Sequence, residues 1–240
     1  MLAWYLYRPT QGRKTHQEFN LMKSALTKLI QKHLIERTVK WLIWDFDGTL
    51  WSDEGIGKKL EAEYRNFLLE KLGQPISSEE FKRLTDVCGS WSAATEKLTK
   101  IPEVEVLDII DERFDVTRYL TKNPQIIELV LGLNNYKHLI LSNSKKERIV
   151  KGLMKIGFQN INHQYHYPFE AIFDRKKTKS LKPNQKIYQI ICNYTKAPKY
   201  AHLAIGDSIH HDIEPARKYG FRAIHVDKFL KLYQNSPTTL

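Results

Sequence analysis

Short apolar runs that each close on a polar turn constrain this chain more than any other feature. Residues 39–44 run into Asp45, residues 138–141 into Ser142-Asn143, and residues 202–205 into Gly206-Asp207. Residues 222–226 form a fourth run and 170–173 a weaker fifth. Runs this short, without apolar–polar alternation, suit strands covered on both faces. Helix-length stretches separate them: 145–156, with Ile149, Leu153 and Met154 on one side; 185–194, after Lys182-Pro183; and 213–219, ending at Gly220. Glycine at that place is a helix stop. Strand–helix alternation predicts an α/β fold with a parallel sheet and crossover helices. Its working site is expected at the carboxyl ends of the strands, where the polar turns lie.

Between Gly48 and Asn135 the pattern changes. Strand-like runs are few, and helix starts fall at about Asp53, Ser78, Ser92, Pro102 and Pro124. Ser78-Glu79-Glu80 reads as a cap with an acidic first turn, and Asn123-Pro124 as a cap followed by proline at the first helical position. Residues 51–119 are expected to form a small α-helical insertion, with 39–50 and 120–240 building the core. Residues 1–38 form an N-terminal extension. Within it, residues 17–36 carry Phe19, Leu21, Leu26, Leu29 and Ile30 and suit a helix docked on the core or on a partner.

A chain of 240 residues accommodates one α/β core plus a small insertion. No apolar run approaches the roughly 18–20 residues of a membrane span. The apolar start, residues 1–7, lacks the leading basic residue and small-residue cleavage site of a secretory signal. Cys88 and Cys192 show no paired spacing and fit reduced thiols, so a cytoplasmic location is expected. The net charge of +11 attracts anions such as phosphate esters, nucleotides or nucleic acid. Its lysines are dispersed, and runs such as 175–179 read as solvated basic surface. Basic residues interleaved with aromatics are missing, so a small molecule is favoured over nucleic acid.

Four polar elements carry chemistry. Asp45-Phe46-Asp47-Gly48-Thr49 follows the first run, and Gly48 permits a turn that aims two carboxylates at one place. Alone, such a loop can also be a mere turn or a cation site. Ser142 ends the second run with a hydroxyl able to donate to a phosphoryl oxygen. Lys182, before Pro183, offers a cation to a shared negative charge. Gly206-Asp207 and Asp212 supply hard oxygen ligands of the kind magnesium prefers. His210 and His211 read as exposed at a helix start, and His163 and His166 as loop residues.

Taken together and in this order, the elements resemble the four motifs of the haloacid dehalogenase (HAD) superfamily, over residues 39–50 and 124–226. The long insertion after the first motif is similar to the helical cap of its phosphoglycolate phosphatase-like members. The resemblance implies a Rossmann-like core with Asp45 as nucleophile and Asp47 as general acid, then base. It implies that Thr49, Ser142 and Asn143 hydrogen-bond the phosphate or catalytic groups and that Lys182 balances charge. Mg2+ would be held by the Asp45 side chain, the Asp47 backbone carbonyl and Asp207, with Asp212 supporting that shell. The implied activity is Mg2+-dependent hydrolysis of a small anionic phosphate monoester through an aspartyl-phosphate. The superfamily's dehalogenases lack an acid at the position of Asp47, since a departing halide needs no proton, so phosphoryl chemistry is expected. A phosphomutase or a phosphatase of nucleic-acid ends are the alternatives. A non-enzymatic scaffold is disfavoured because the main motif acids are all present. Trp51 and the 88–91 turn are candidates to line the entrance, and Lys58 and Arg65 to add anion contacts. Natural substrate and oligomeric state stay open.

Overall fold

The computed structural model describes residues 38–158 and 168–234. The expected helix within residues 17–36 and the His163/His166 pair lie outside the described residues.

Strand β1 (Trp41–Trp44) is the middle of a five-stranded parallel sheet. The others are β2 (Lys137–Leu141), β3 (Phe169–Phe173), β4 (His202–Gly206) and β5 (Arg222–His225), in the order β3-β2-β1-β4-β5. The chain first fills one side of β1 and then crosses to the other. The order therefore reverses beside β1, the place where open α/β sheets form a crevice.

The all-apolar runs have a simple cause. Alternate residues of each strand face opposite sides, and both sides are covered. Leu42, Trp44, Ile140, Leu203, Ile205 and Ile224 enter one core cluster. Trp41, Ile43, Leu139, Leu141, Ala204 and Ala223 enter the other. Burial of His138 inside β2 is offset by two hydrogen bonds: Trp44 Nε1 donates to its Nδ1 at 3.0 Å, and its Nε2 donates to the Leu133 carbonyl at 3.1 Å. Burial lowers the pKa of this imidazole, consistent with a neutral ring.

Helices α1 (Glu54–Leu72), α2 (Ser78–Cys88), α3 (Trp91–Thr99) and α4 (Glu103–Arg113) follow β1. They share a separate apolar cluster that includes Tyr64, Phe67, Phe81, Val106 and Ile110. Asp53 caps α1 by accepting from the Ile56 amide at 2.8 Å. The cap of α2 is Ser77, accepting from Glu80 at 3.1 Å, and not Ser78, whose hydroxyl donates to Glu61. Helix α5 (Pro124–Gly132), capped by Asn123, leads back into β2.

Helix α6 (Lys146–Ile156) connects β2 with β3. Its inner face is Ile149, Leu153 and Ile156, whereas Met154, expected on that face, is 51% exposed. Helix α7 (Lys186–Thr195) precedes β4. A π-helical turn (Ile209–Ile213) and α8 (Glu214–Tyr219) precede β5, and α9 (Val226–Gln234) follows it. Among the described residues, no helix is long and apolar enough to cross a membrane.

Candidate active site

Sheet hydrogen bonding runs one residue past the strands and so fixes the first polar residues. The Asp45 amide donates to the Ile205 carbonyl at 2.9 Å, and the Ser142 amide to that of Phe173 at 3.0 Å. The chain then turns at Gly48, whose φ of +80° favours glycine. A Cβ on Gly48 would lie 2.3 Å from Asp207 Oδ2, so the turn and the Asp207 carboxylate are in direct contact. Thr49 Oγ1 donates to Asp207 Oδ1 at 3.2 Å. Its side chain is therefore spent on Asp207.

Asp45, Asp207 and Asp212 each bring one carboxylate oxygen within 4.8 Å of the others. Lys182 Nζ lies 2.6 Å from both Asp45 Oδ1 and Asp212 Oδ1. Asp212 Oδ2 accepts from the Ser208 amide at 3.1 Å. Burial pushes Asp45 well above the usual carboxylate range; Lys182 opposes this, while Asp212 and Asp207 add to it. Asp207 is pushed up to about 6 by burial and by Asp212. For Lys182, burial works against the charge, but Asp212 and Asp45 outweigh it and raise its pKa. One ammonium is thus set among three crowded carboxylates, an arrangement with room in its charge balance for another cation.

Asn143 does not point its amide at free space. Its Nδ2 donates to the Lys182 carbonyl at 3.2 Å and its Oδ1 accepts the Lys182 amide at 2.8 Å, which pins the backbone of the buried lysine. Ser142 is buried at the cavity wall, with its Oγ accepting the Ser144 amide at 3.1 Å.

Asp47 engages both carboxylate oxygens. Arg148 donates to Oδ1 at 2.7 Å, and the Ser144 hydroxyl donates to Oδ2. The second nitrogen of Arg148 reaches Asp111 Oδ1 on α4 at 2.7 Å. Arg175 bonds the other oxygen of Asp111 at 2.7 Å, Asp108 at 2.6 Å, and the Asn143 carbonyl at 2.8 Å. Lys145 pairs with Asp108 at 2.8 Å. These pairs tie α4 to the sheet's carboxyl edge. Arg175, expected on a solvated basic surface, is 5% exposed. Arg148 and Asp111 carry no local signal, because they become neighbours only when α4 and α6 meet.

The three clustered aspartates with Asp47, Asp111, Ser142, Arg148 and Lys182 line a cavity of about 450 Å3. Tyr64, Ser90, Trp91, Ser92 and Ile110 form much of its opposite wall, so the turn at 88–91 does reach it. His211, expected to be exposed, also lines it beside Gly89. Burial and then the Lys182 charge lower the pKa of His211. Trp51 is not in that wall; it is buried edge-on against Phe46, with ring centroids 6.4 Å apart. Arg65 donates to the Ile76 carbonyl, and Lys58 pairs with Glu54 in solvent, so neither contributes to the cavity.

No curated protein matches the chain. Three solved structures illustrate a shared fold. A magnesium-bound structure named as a HAD-hydrolase from Bacillus subtilis has 17% identity and a TM-score of 0.52, covering 78% of this chain and 86% of that one. One named as a beta-phosphoglucomutase from Thermotoga maritima has 15% identity and a TM-score of 0.51, covering 83% and 100%. A HAD phosphatase from Thermococcus onnurineus has 23% identity and a TM-score of 0.50, covering 77% and 85%. A family profile described as haloacid dehalogenase-like hydrolase matches residues 39–220, the span that holds every motif residue from Asp45 to Asp212. The chain belongs to the haloacid dehalogenase-like hydrolase family.

Proposed function

We propose that this hydrolase is a Mg2+-dependent phosphatase that cleaves a small phosphate monoester through an aspartyl-phosphate on Asp45. The observation that carries the reading is the buried Lys182 ammonium, 2.6 Å from Asp45 and from Asp212, with Asp207 in the same carboxylate cluster. Residues 51–119 act as a cap over this site, and 39–50 with 120–240 as the core.

The donor set fits magnesium. Asp45, Asp207 and the Asp47 backbone carbonyl would hold the ion, and Asp212 would support it from behind through Lys182 and the Ser208 amide. When bound, Mg2+ supplies positive charge against the anionic ester and its transition state. Lys182 supplies a fixed share of the same stabilisation without reorganisation.

The chemistry is then in-line displacement. An Asp45 carboxylate oxygen attacks phosphorus, the bond from phosphorus to the ester oxygen breaks, and Asp47 gives its proton to the departing alkoxide. Water attacks the phosphorus of the aspartyl-phosphate, Asp47 takes its proton, and inorganic phosphate leaves with Asp45 restored. Ser144 and Arg148 hold the Asp47 carboxylate beside the cavity, where the ester oxygen would lie. Ser142 faces the phosphoryl group, while Thr49 and Asn143 act through Asp207 and Lys182.

Purified protein with Mg2+ is expected to release phosphate from small monoesters, and Asp45→Asn to lose this with its fold retained. Equal activity of the two proteins would refute the assignment. Regeneration of a phosphorylated isomer in place of free phosphate would mark a phosphomutase. Activity confined to oligonucleotide ends would mark the nucleic-acid alternative.

A further inference from the structure

The protein carries a formal charge of +11, yet its cavity is acidic. Asp45, Asp47, Asp111, Asp207 and Asp212 line it, against Lys182 and Arg148. Both cations are already committed. Lys182 serves Asp45 and Asp212, and Arg148 serves Asp47 and Asp111 through its two terminal nitrogens. The Arg148 Nε is buried without a partner, so it is closed to a ligand as well. For Arg148 to accept an anion, it would have to give up its ion pair with Asp47 or leave Asp111 to Arg175 alone, and either exchange is costly in a desolvated site.

The wall contributed by the insertion is different again. It combines Tyr64 and Trp91 with Leu60, Leu107 and Ile110, and its hydrogen-bonding groups include Ser90 and Ser92. Among the described residues, the only acidic or basic side chain that the insertion adds to this wall is Asp111. Those serine hydroxyls both donate to Glu103 Oε1, which ties the start of α3 to that of α4.

We propose that the substrate's alcohol part is uncharged and partly apolar, and that the site discriminates against esters bearing a carboxylate or a second phosphate. This specificity rests on the phosphatase reading above. It arises because, among the described residues, the wall offers a second anion no unpaired cation: Lys182 is held by Asp45 and Asp212, and Arg148 by Asp47 and Asp111. Phosphoglycolate and bisphosphorylated sugars are therefore poor substrates, whatever the protein's overall charge.

Matched esters test it: phenyl phosphate against 4-carboxyphenyl phosphate, and 2-hydroxyethyl phosphate against phosphoglycolate. Each pair shares the phosphoryl group and differs in one carboxylate. With Mg2+, kcat/KM is expected to favour the neutral member by about tenfold or more. Calorimetric binding to Asp45→Asn with Mg2+ is expected to show the same preference, because a change at Asp45 affects both members alike. Asp111→Asn should narrow the gap several-fold, chiefly through KM of the carboxylated member. Equal or better use of the carboxylated esters by the parent protein would overturn the specificity while leaving the phosphatase standing. Preserved binding preference with no turnover of any ester would uphold the specificity of the cavity and overturn the phosphatase. Failure of all four esters both to bind and to react would overturn both.

Discussion

Replacing Lys182 by Met removes the one ammonium among three carboxylates while keeping a side chain of similar length. Lys182 is 4% exposed, and both of its aspartate partners lie at 2.6 Å. Breaking a buried ion pair by deleting one partner costs about 3–5 kcal/mol, because the remaining charge is left uncompensated. At a urea slope of about 2–3 kcal/mol/M, the unfolding midpoint of the metal-free variant should fall by roughly 1–2.5 M. The variant can recover part of this loss by binding a proton at the cluster. The deficit should therefore grow with pH, by up to about 1.4 kcal/mol for each unit until the carboxylates are fully ionised. Magnesium supplies the missing charge, so its stabilising effect should be larger in Lys182→Met than in the parent. Urea titrations at pH 6 and pH 8, in EDTA and in Mg2+, measure all three quantities. An unchanged midpoint in EDTA at pH 8 would refute the idea that Lys182 compensates this cluster.

Further outcomes follow from the same geometry. In the metal-free parent, Asp207 titrates near 6 and Asp45 is also raised, so the native state binds more protons than the unfolded chain above the ordinary aspartate value of 3.8. The share of stability owed to Asp207 should therefore fall as pH rises from about 4 to 6, read as the difference between the parent and Asp207→Asn in EDTA, and Mg2+ should flatten that fall; a difference that grows in favour of the parent as pH rises would contradict the sign. Gly48→Ala strains a φ of +80° and drives a methyl into Asp207, so Mg2+ affinity should drop by at least about tenfold, as read by calorimetry. Arg148→Ala frees Asp47 from one of its two holds and should lower kcat by about 10- to 100-fold with KM little changed, while Arg148→Lys restores only part; an unaltered kcat would remove Arg148 from this role. Trp44→Phe leaves the buried Nδ1 of His138 without its donor and should cost about 1–3 kcal/mol in chemical denaturation.

Much of this protein was legible in its sequence because strands buried on both faces need uninterrupted apolar residues, and their ends need polar ones. Residues 39–44, 138–141 and 202–205 obey that rule, and the strands begin or end within a few residues of the expected places. The acidic turn after β1 was readable for a local reason as well: Gly48 is required where the chain bends into Asp207. The helix starts expected at about Asp53, Ser92 and Pro124 fall within a residue of those observed, because capping is a matter of neighbouring residues.

The tertiary structure decided what distance in sequence concealed. Nothing near Asn143 says that its amide is used to hold the backbone of Lys182, 39 positions away. Arg175 sits in a run of basic residues that reads as surface, and only the approach of α4 supplies the aspartates that allow its burial. Asp47 draws its partner Arg148 from 101 positions along the chain, and Arg148 in turn draws Asp111 from the insertion. Local pattern fixes which residues lie at a strand end, since periodicity and capping act over a few residues. Which charge neutralises which depends on how separate elements pack, and that pairing sets the character of the cavity.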